Sequence, residues 1–312
     1  VSIFYQAKDF IQTAQGLLFA VVAEAEQDAL IPCYLRYVSN NGVWRKVASA
    51  EATQILHSHY PQFLYHSAKM DAHLHGVQPH EVLHHYTPRQ RLQSLLDQPA
   101  SDAVIADFQQ LCHALILDGN VLEQLGVTGS LLPGLQNPNS DIDLVCYDRT
   151  VFHSLRERVK YLIASQQFQA LSADDWLASY QRRDCALSLD EYVWHEQRKF
   201  NKAIINQRKF DLSLVAPTRE LADKTYHKLG VVQLGTQVLD ASYGFDYPAE
   251  FKLADVVIKS VVSYTATYTG QALAGEQVLI AGWLEADELG NQRIVVGSNR
   301  EAQGEYIKVI RD

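Results

Sequence analysis

Within GVTGSLLPGLQNPNSDIDLV, residues 126–145, a Gly129-Ser130 pair is followed by Asp141 and, after one intervening residue, Asp143. The two acids head an apolar run, DIDLVCY. As a strand, its period of two sets Asp141, Asp143, Val145 and Tyr147 on one face and Ile142, Leu144 and Cys146 on the other. Two carboxylates pointing the same way repel each other unless a cation lies between them. Hard oxygen ligands suit Mg²⁺ or Mn²⁺, which keep part of their coordination shell for phosphate oxygens. Gly129 allows the backbone to approach a ligand closely, and Ser130 reads as the start of the next helix. Exposed N–H groups and a hydroxyl at such a start make a phosphate site. The spacing therefore reads as a nucleotide–metal site, with phosphates at the Gly-Ser turn and metal at the aspartates.

The stretch GSLLPGLQNPNSDIDLV resembles the signature of the DNA polymerase beta-type nucleotidyltransferase superfamily: Gly-Ser, a following Gly, then Asp-x-Asp. Gly129, Ser130, Gly134, Ser140, Asp141 and Asp143 fall on the family positions. Leu132-Pro133 stand where many minimal members carry Ala-Arg, which removes a phosphate contact. The whole-chain layout, opening DFIQTAQGLLFAVV and ending β-rich, also resembles an uncharacterised archaeal-type group of predicted nucleotidyltransferases. The resemblance implies a small mixed sheet with helices on one face. It also implies transfer of a nucleoside monophosphate from a nucleoside triphosphate to an unidentified acceptor (protein, RNA or small molecule), using two divalent metals, Mg²⁺ or Mn²⁺. It requires a third carboxylate on a neighbouring strand.

RKFDLSLV, residues 208–215, offers that carboxylate, since alternation places Lys209, Asp211 and Ser213 on one face and Phe210, Leu212 and Leu214 on the other. Asp is depleted in strands, so aspartates on two such strands point to a site. The expected set is then Asp141, Asp143 and Asp211 as metal ligands and catalytic residues, with Asp211 completing the second metal site and helping to deprotonate the acceptor. Gly129, Ser130, Ser140 and Lys209 are expected to bind the nucleotide. The run RKFNKAIINQRK has five basic residues and no acid. It reads first as a solvated face, with Lys202, Arg208 and above all Lys209 as alternative phosphate contacts. The alternative for the whole chain is a catalytically inactive nucleotide-binding sensor or scaffold protein.

The elements that must position these residues give a mixed α/β (α+β) chain in three parts. An N-terminal α/β unit, 1–97, opens with a hairpin in GLLFAVVAEAEQDALIPCYLRYV, followed by helices in ASAEATQILHSHY and TPRQRLQSLL. The nucleotidyltransferase domain, 98–229, begins with a capped helix in SDAVIADFQQLCHALILDG that stops at Gly119. It continues through strands in LGVTG and DIDLVCY to a helix in TVFHSLRERVKYLIAS. From 230 to 312 a series of short strands suggests a small OB-like β-barrel. Six Lys/Arg against eleven Asp/Glu in this segment disfavour nucleic-acid binding by it.

Eight of twelve histidines lie between residues 57 and 85, but without the His-Glu-x-x-His pattern they read as hydrogen-bonded or exposed side chains. The net charge of −9 argues against non-specific nucleic-acid binding as the main task. Cys33, Cys112, Cys146 and Cys185 are scattered, as expected for free thiols in a reducing cytoplasm. No apolar run is long enough for a membrane span, and VSIFYQAKDF does not read as a secretory signal.

Overall fold

The computed structural model describes residues 4–24, 29–67, 72–116, 119–183, 185–216, 226–297 and 304–311. The architecture is mixed α+β, in two compact units: residues 1–147 with 205–215, and residues 148–204 with 216–312. Among the described residues, no helix is long and apolar enough to cross a membrane.

The first unit opens with strands β1 (Phe10–Thr13), β2 (Leu17–Val21), β3 (Ile31–Asn40) and β4 (Val43–Lys46), then helix α1 (Ser49–His59). Strands β5 (Leu64–Ser67), β6 (Ala72–Val77) and β7 (Val82–Tyr86) complete a sheet in the order β5-β6-β3-β2-β1-β7, with β4 paired to β3. The expected hairpin is the antiparallel β2–β3 pair. One face of this sheet packs Ile11, Phe19, Ile31 and Leu35 against Ala52 and Leu56 of α1.

Helices α2 (Pro88–Leu96), α3 (Ala103–Leu115) and α4 (Gly119–Glu123) follow, then strands β8 (Leu125–Thr128) and β9 (Ile142–Cys146). In α3, Asp102 caps the N-terminus by accepting from the Ile105 N–H at 2.9 Å, and Val104, Phe108, Leu111, Cys112 and Leu115 are buried. That helix ends at Leu115 rather than at Gly119: Ile116 has turned to extended backbone, and Gly119 opens α4 instead. Gly126 on β8 is required by close packing, because a Cβ there would lie 2.6 Å from Pro88 Cβ at the start of α2.

The second unit begins with α5 (Arg149–Ala164), α6 (Ala173–Arg183), α7 (Leu189–Gln197) and β10 (Lys202–Ile205), whose last residue starts the return to the first unit. There β11 (Arg208–Leu214) lies beside β9, giving the order β11-β9-β8. The second unit resumes with β12 (Tyr226–Tyr243), β13 (Ala249–Leu253), β14 (Ile258–Ser263), β15 (Gln277–Asp287), β16 (Gln292–Val296) and β17 (Tyr306–Val309). The order β12-β13-β14-β16-β15, with β15 pairing back to β12, partly closes this sheet into a ring, and β17 is added on β15. Trp176, Leu187 and Tyr192 from the helical segment share its core with Phe251, Val261, Ile280 and Ile307.

His195 links α7 to β17. Its Nδ1–H donates to the Glu191 carbonyl at 2.6 Å, and its Nε2 accepts from the Val309 N–H at 3.1 Å, so one neutral tautomer satisfies both bonds. Burial pushes its pKa down from 6.5 to about 4. The stability it contributes is present above pH 6.5 and is lost as pH falls from there through about 4. His195→Ala is expected to cost about 1–3 kcal/mol at neutral pH. It should also flatten the acid side of a plot of Tm against pH. An unchanged pH profile in the variant would contradict this role.

Candidate functional site

Asp143 lies directly beside Asp211, because β9 and β11 pair in parallel with Phe210 opposite Ile142, Asp211 opposite Asp143 and Leu212 opposite Leu144. Neighbouring strands are about 4.8 Å apart and paired residues project from the same face, so the two carboxylates share one rung. The alternation that produces this is built into both strands: Phe210, Leu212 and Leu214 are buried, as are Ile142, Leu144 and Cys146, while Asp143 and Asp211 keep partial access to solvent. Asp141 lies one residue before β9 begins, so it belongs to the entering loop and not to the strand. On the other side of β9, Thr128 of β8 is opposite Asp143.

Gly129 follows at once, with φ +65°. A Cβ at this position would overlap Asp143 Oδ2 and come within 3.0 Å of its Cγ. The backbone of the Gly-Ser pair thus lies against the carboxylate, and only glycine permits both the conformation and the approach. Ser130 does not start a helix. Gly129–Leu131 form a single 3₁₀ turn, and the chain then folds back, with the Leu135 N–H donating to the Ser130 carbonyl at 2.8 Å. Gly134, with φ +72°, lies within this fold-back.

Burial is the main cause that raises the Asp143 carboxyl, and Asp211 adds to it; Lys8 pulls it back, Asp141 raises it further and Lys46 lowers it. The result is a pKa of about 6. The two lysines come from the N-terminal sheet unit and have no signature in the local sequence around the aspartates. Lys8, at φ +79°, is fixed there because Thr128 Oγ1 donates to its carbonyl at 2.8 Å. Tyr37 of β3 also senses Asp143: its phenol is pushed up first by burial, while Arg36 lowers it and Asp143 raises it.

Leu132, where the superfamily pattern often has Ala, is buried in a cluster with Phe10, Leu18 and Tyr37, with Leu135 packed alongside. The loop between the Gly-Ser pair and the aspartates is therefore anchored on the second face of the N-terminal sheet. Arg91 of α2 holds it from another direction, its Nε donating to the Leu131 carbonyl at 2.9 Å.

Ser140 Oγ accepts from the Asn137 N–H at 2.9 Å and closes the turn before Asp141. Arg208, considered above as a phosphate contact, is engaged structurally. Its Nε donates to Asp107 Oδ2 at 2.8 Å and its Nη1 to the Ser140 carbonyl at 2.7 Å. Lys202 is likewise committed, forming an ion pair with buried Glu196, which also binds Lys199. Lys209 precedes Phe210, whose partner Ile142 follows Asp141, so it occupies the entry end of the same pair of strands.

The histidine-rich segment is used in several separate ways. His75 is buried, its Nδ1 accepting from the Leu35 N–H at 3.1 Å and its Nε2 3.2 Å from Thr53 Oγ1. His85 pairs with Asp9 at 2.7 Å, and the rings of His66 and His73 meet edge-on across β5 and β6. Among the described residues, no three His, Cys, Asp or Glu side chains form a ready-made metal centre.

Two outcomes follow from the Asp143 environment. Asp143→Asn is expected to be more stable than the wild type above pH 6, with the difference shrinking through about pH 6 and vanishing near pH 4, because protonation then neutralises the wild-type carboxyl. Gly129→Ala is expected to lose about 1–3 kcal/mol, from strain and the clash with Asp143. Denaturant unfolding at several pH values checks both, and a Gly129→Ala variant as stable as the wild type would contradict the packing described.

No model of a known protein family matches the chain, and no solved structure matches it. The uncharacterized protein MJ1086 of Methanocaldococcus jannaschii is 33% identical over 335 aligned positions, which cover 97% of this chain and 98% of the relative. With that identity along essentially the full length of both chains, the protein belongs to the same family as MJ1086.

Proposed function

We propose that the protein is a metal-dependent nucleotidyltransferase that moves a nucleoside monophosphate from a nucleoside triphosphate to an acceptor. The observation that supports this best is the Asp143–Asp211 rung with the backbone of Gly129 laid against it. Adjacent carboxylates and a closely approaching Gly-Ser turn are what a metal–triphosphate substrate requires, and a buried structural pair of acids would not need the second feature.

The donor set fits Mg²⁺ or Mn²⁺. It consists of oxygen alone, and two carboxylates with phosphate oxygens and water completing the shell is a common arrangement for such ions. Asp143 and Asp211 would hold the ion, with Asp141 at the mouth of the same cluster. The bound ion would supply charge neutralisation at the phosphate oxygens. The N–H groups and hydroxyl of Gly129-Ser130 orient the triphosphate, and Lys209 adds a cation at the entry end. Asp211 accepts the proton of the acceptor hydroxyl as its oxygen forms a bond to the α-phosphorus. The bond from that phosphorus to the bridging oxygen breaks, and pyrophosphate leaves with the electron pair.

Incubation with labelled nucleoside triphosphates, Mg²⁺ or Mn²⁺ and cell extract tests the reading. Label transferred to protein, RNA or a small molecule supports it and identifies the acceptor class. Nucleotide binding without transfer in any extract would instead support a sensor. The Asp141→Asn, Asp143→Asn double variant is expected to lose the metal dependence of triphosphate binding. Asp211→Asn should still bind nucleotide but lose at least about 100-fold in transfer, the usual scale for a general base. A wild-type transfer rate in Asp211→Asn would overturn the assignment.

A further inference from the structure

A triphosphate is a polyanion, yet beyond Lys209 the strands around the aspartates offer it little compensating charge. Arg208 is bound to Asp107 and Lys202 to Glu196. Pro133 occupies the position where the superfamily pattern often has Arg, and the adjacent Leu132 is spent on packing against the N-terminal sheet.

That packing brings other cations to the site. Tyr37, in the same buried cluster as Leu132, is directly opposite Lys46 across the β3–β4 pair. Cross-strand partners project from the same face, so Lys46 stands on the face that covers the Gly-Ser loop. Lys8 is held by its carbonyl to Thr128, the residue immediately before Gly129. The Lys8 N–H donates to the Val21 carbonyl at 2.9 Å, which fixes its left-handed backbone from the other side. Both lysine side chains are exposed. They come from a part of the chain far from Asp143 in sequence, and the charge of each lowers its carboxyl.

We propose that the N-terminal sheet is a working wall of the site: Lys8 and Lys46 bind the polyphosphate of the substrate over the Asp143–Asp211 pair, replacing the arginine of the superfamily pattern. This rests on the nucleotidyltransferase reading. The two lysines have opposite effects on the two halves of the substrate. They attract phosphate, and they repel a bare divalent cation from the same carboxylates.

Calorimetric titration with inorganic tripolyphosphate in the presence of Mn²⁺, and separately with Mn²⁺ alone, tests this without knowledge of the base or acceptor. Lys8→Gln and Lys46→Gln are each expected to weaken tripolyphosphate binding about tenfold, the scale of one charge-assisted hydrogen bond. Each should leave Mn²⁺ binding unchanged or tighter. Lys8→Arg and Lys46→Arg should restore most of the loss. Variants that lose Mn²⁺ and tripolyphosphate together, without rescue by Arg, would show a merely structural role and overturn the proposal. If the wild type binds tripolyphosphate with Mn²⁺ and both Gln variants match it, the proposal fails while the nucleotide reading stands. If the wild type binds neither, both fail.

Discussion

The site depends on one register. Asp143 and Asp211 are on the same rung of a parallel ladder, and a shift of one residue in either strand would turn one carboxylate to the opposite face. The register is held by the residues between the charges, since Ile142, Leu144, Phe210 and Leu212 are all buried. Parallel strands also require a long connection. Here that connection is the segment 148–204 of the second unit, so the first unit is completed only after the chain has left it and returned at Ile205.

The second constraint is electrostatic. A half-buried carboxylate beside a second one destabilises the fold unless it is protonated or compensated, and burial first, then Asp211, pushes the Asp143 carboxyl up. Gly129 lays backbone against the carboxylate where a Cβ would overlap Asp143 Oδ2. The N-terminal sheet compensates the charge in part through Lys8 and Lys46, and the contact of Leu132 with Phe10, Leu18 and Tyr37 keeps sheet and loop together. Two adjacent acids on a strand pair whose other face is apolar cost stability, and such a cost is a common mark of a functional site.

Much of this frame is legible in the sequence because it is written in short-range patterns. Alternation in DIDLVCY and RKFDLSLV locates both strands and the face bearing Asp143 and Asp211, and the strands of the C-terminal ring follow from strand-like runs divided by Gly, Asn and Asp. What escapes is of two kinds. Some is local but weakly signalled: Ser130 forms a single 3₁₀ turn, α3 stops at Leu115, and the polar helices α6 and α7 have too narrow an apolar stripe to stand out. The rest is tertiary. Nothing in the spacing of Lys8, Tyr37, Lys46 or Arg91 connects them to residues 128–143, and Arg208 reads as available until the fold sets Asp107 of α3 beside it. The histidine-rich segment shows the converse, a conspicuous composition that the fold distributes among a buried hydrogen bond to the backbone, a side-chain hydrogen bond to Asp9 and a cross-strand ring contact.

The central claim is that the Asp143–Asp211 rung receives a divalent cation together with a triphosphate. Its most direct test is anomalous diffraction at the manganese edge from crystals of the full chain grown with Mn²⁺ and a non-hydrolysable nucleoside triphosphate. The account predicts a manganese peak bound by carboxylate oxygens of both Asp143 and Asp211, with phosphate density against Gly129 and Ser130. Manganese bound away from both aspartates, or triphosphate density elsewhere on the molecule with the Gly-Ser turn bare, would contradict it.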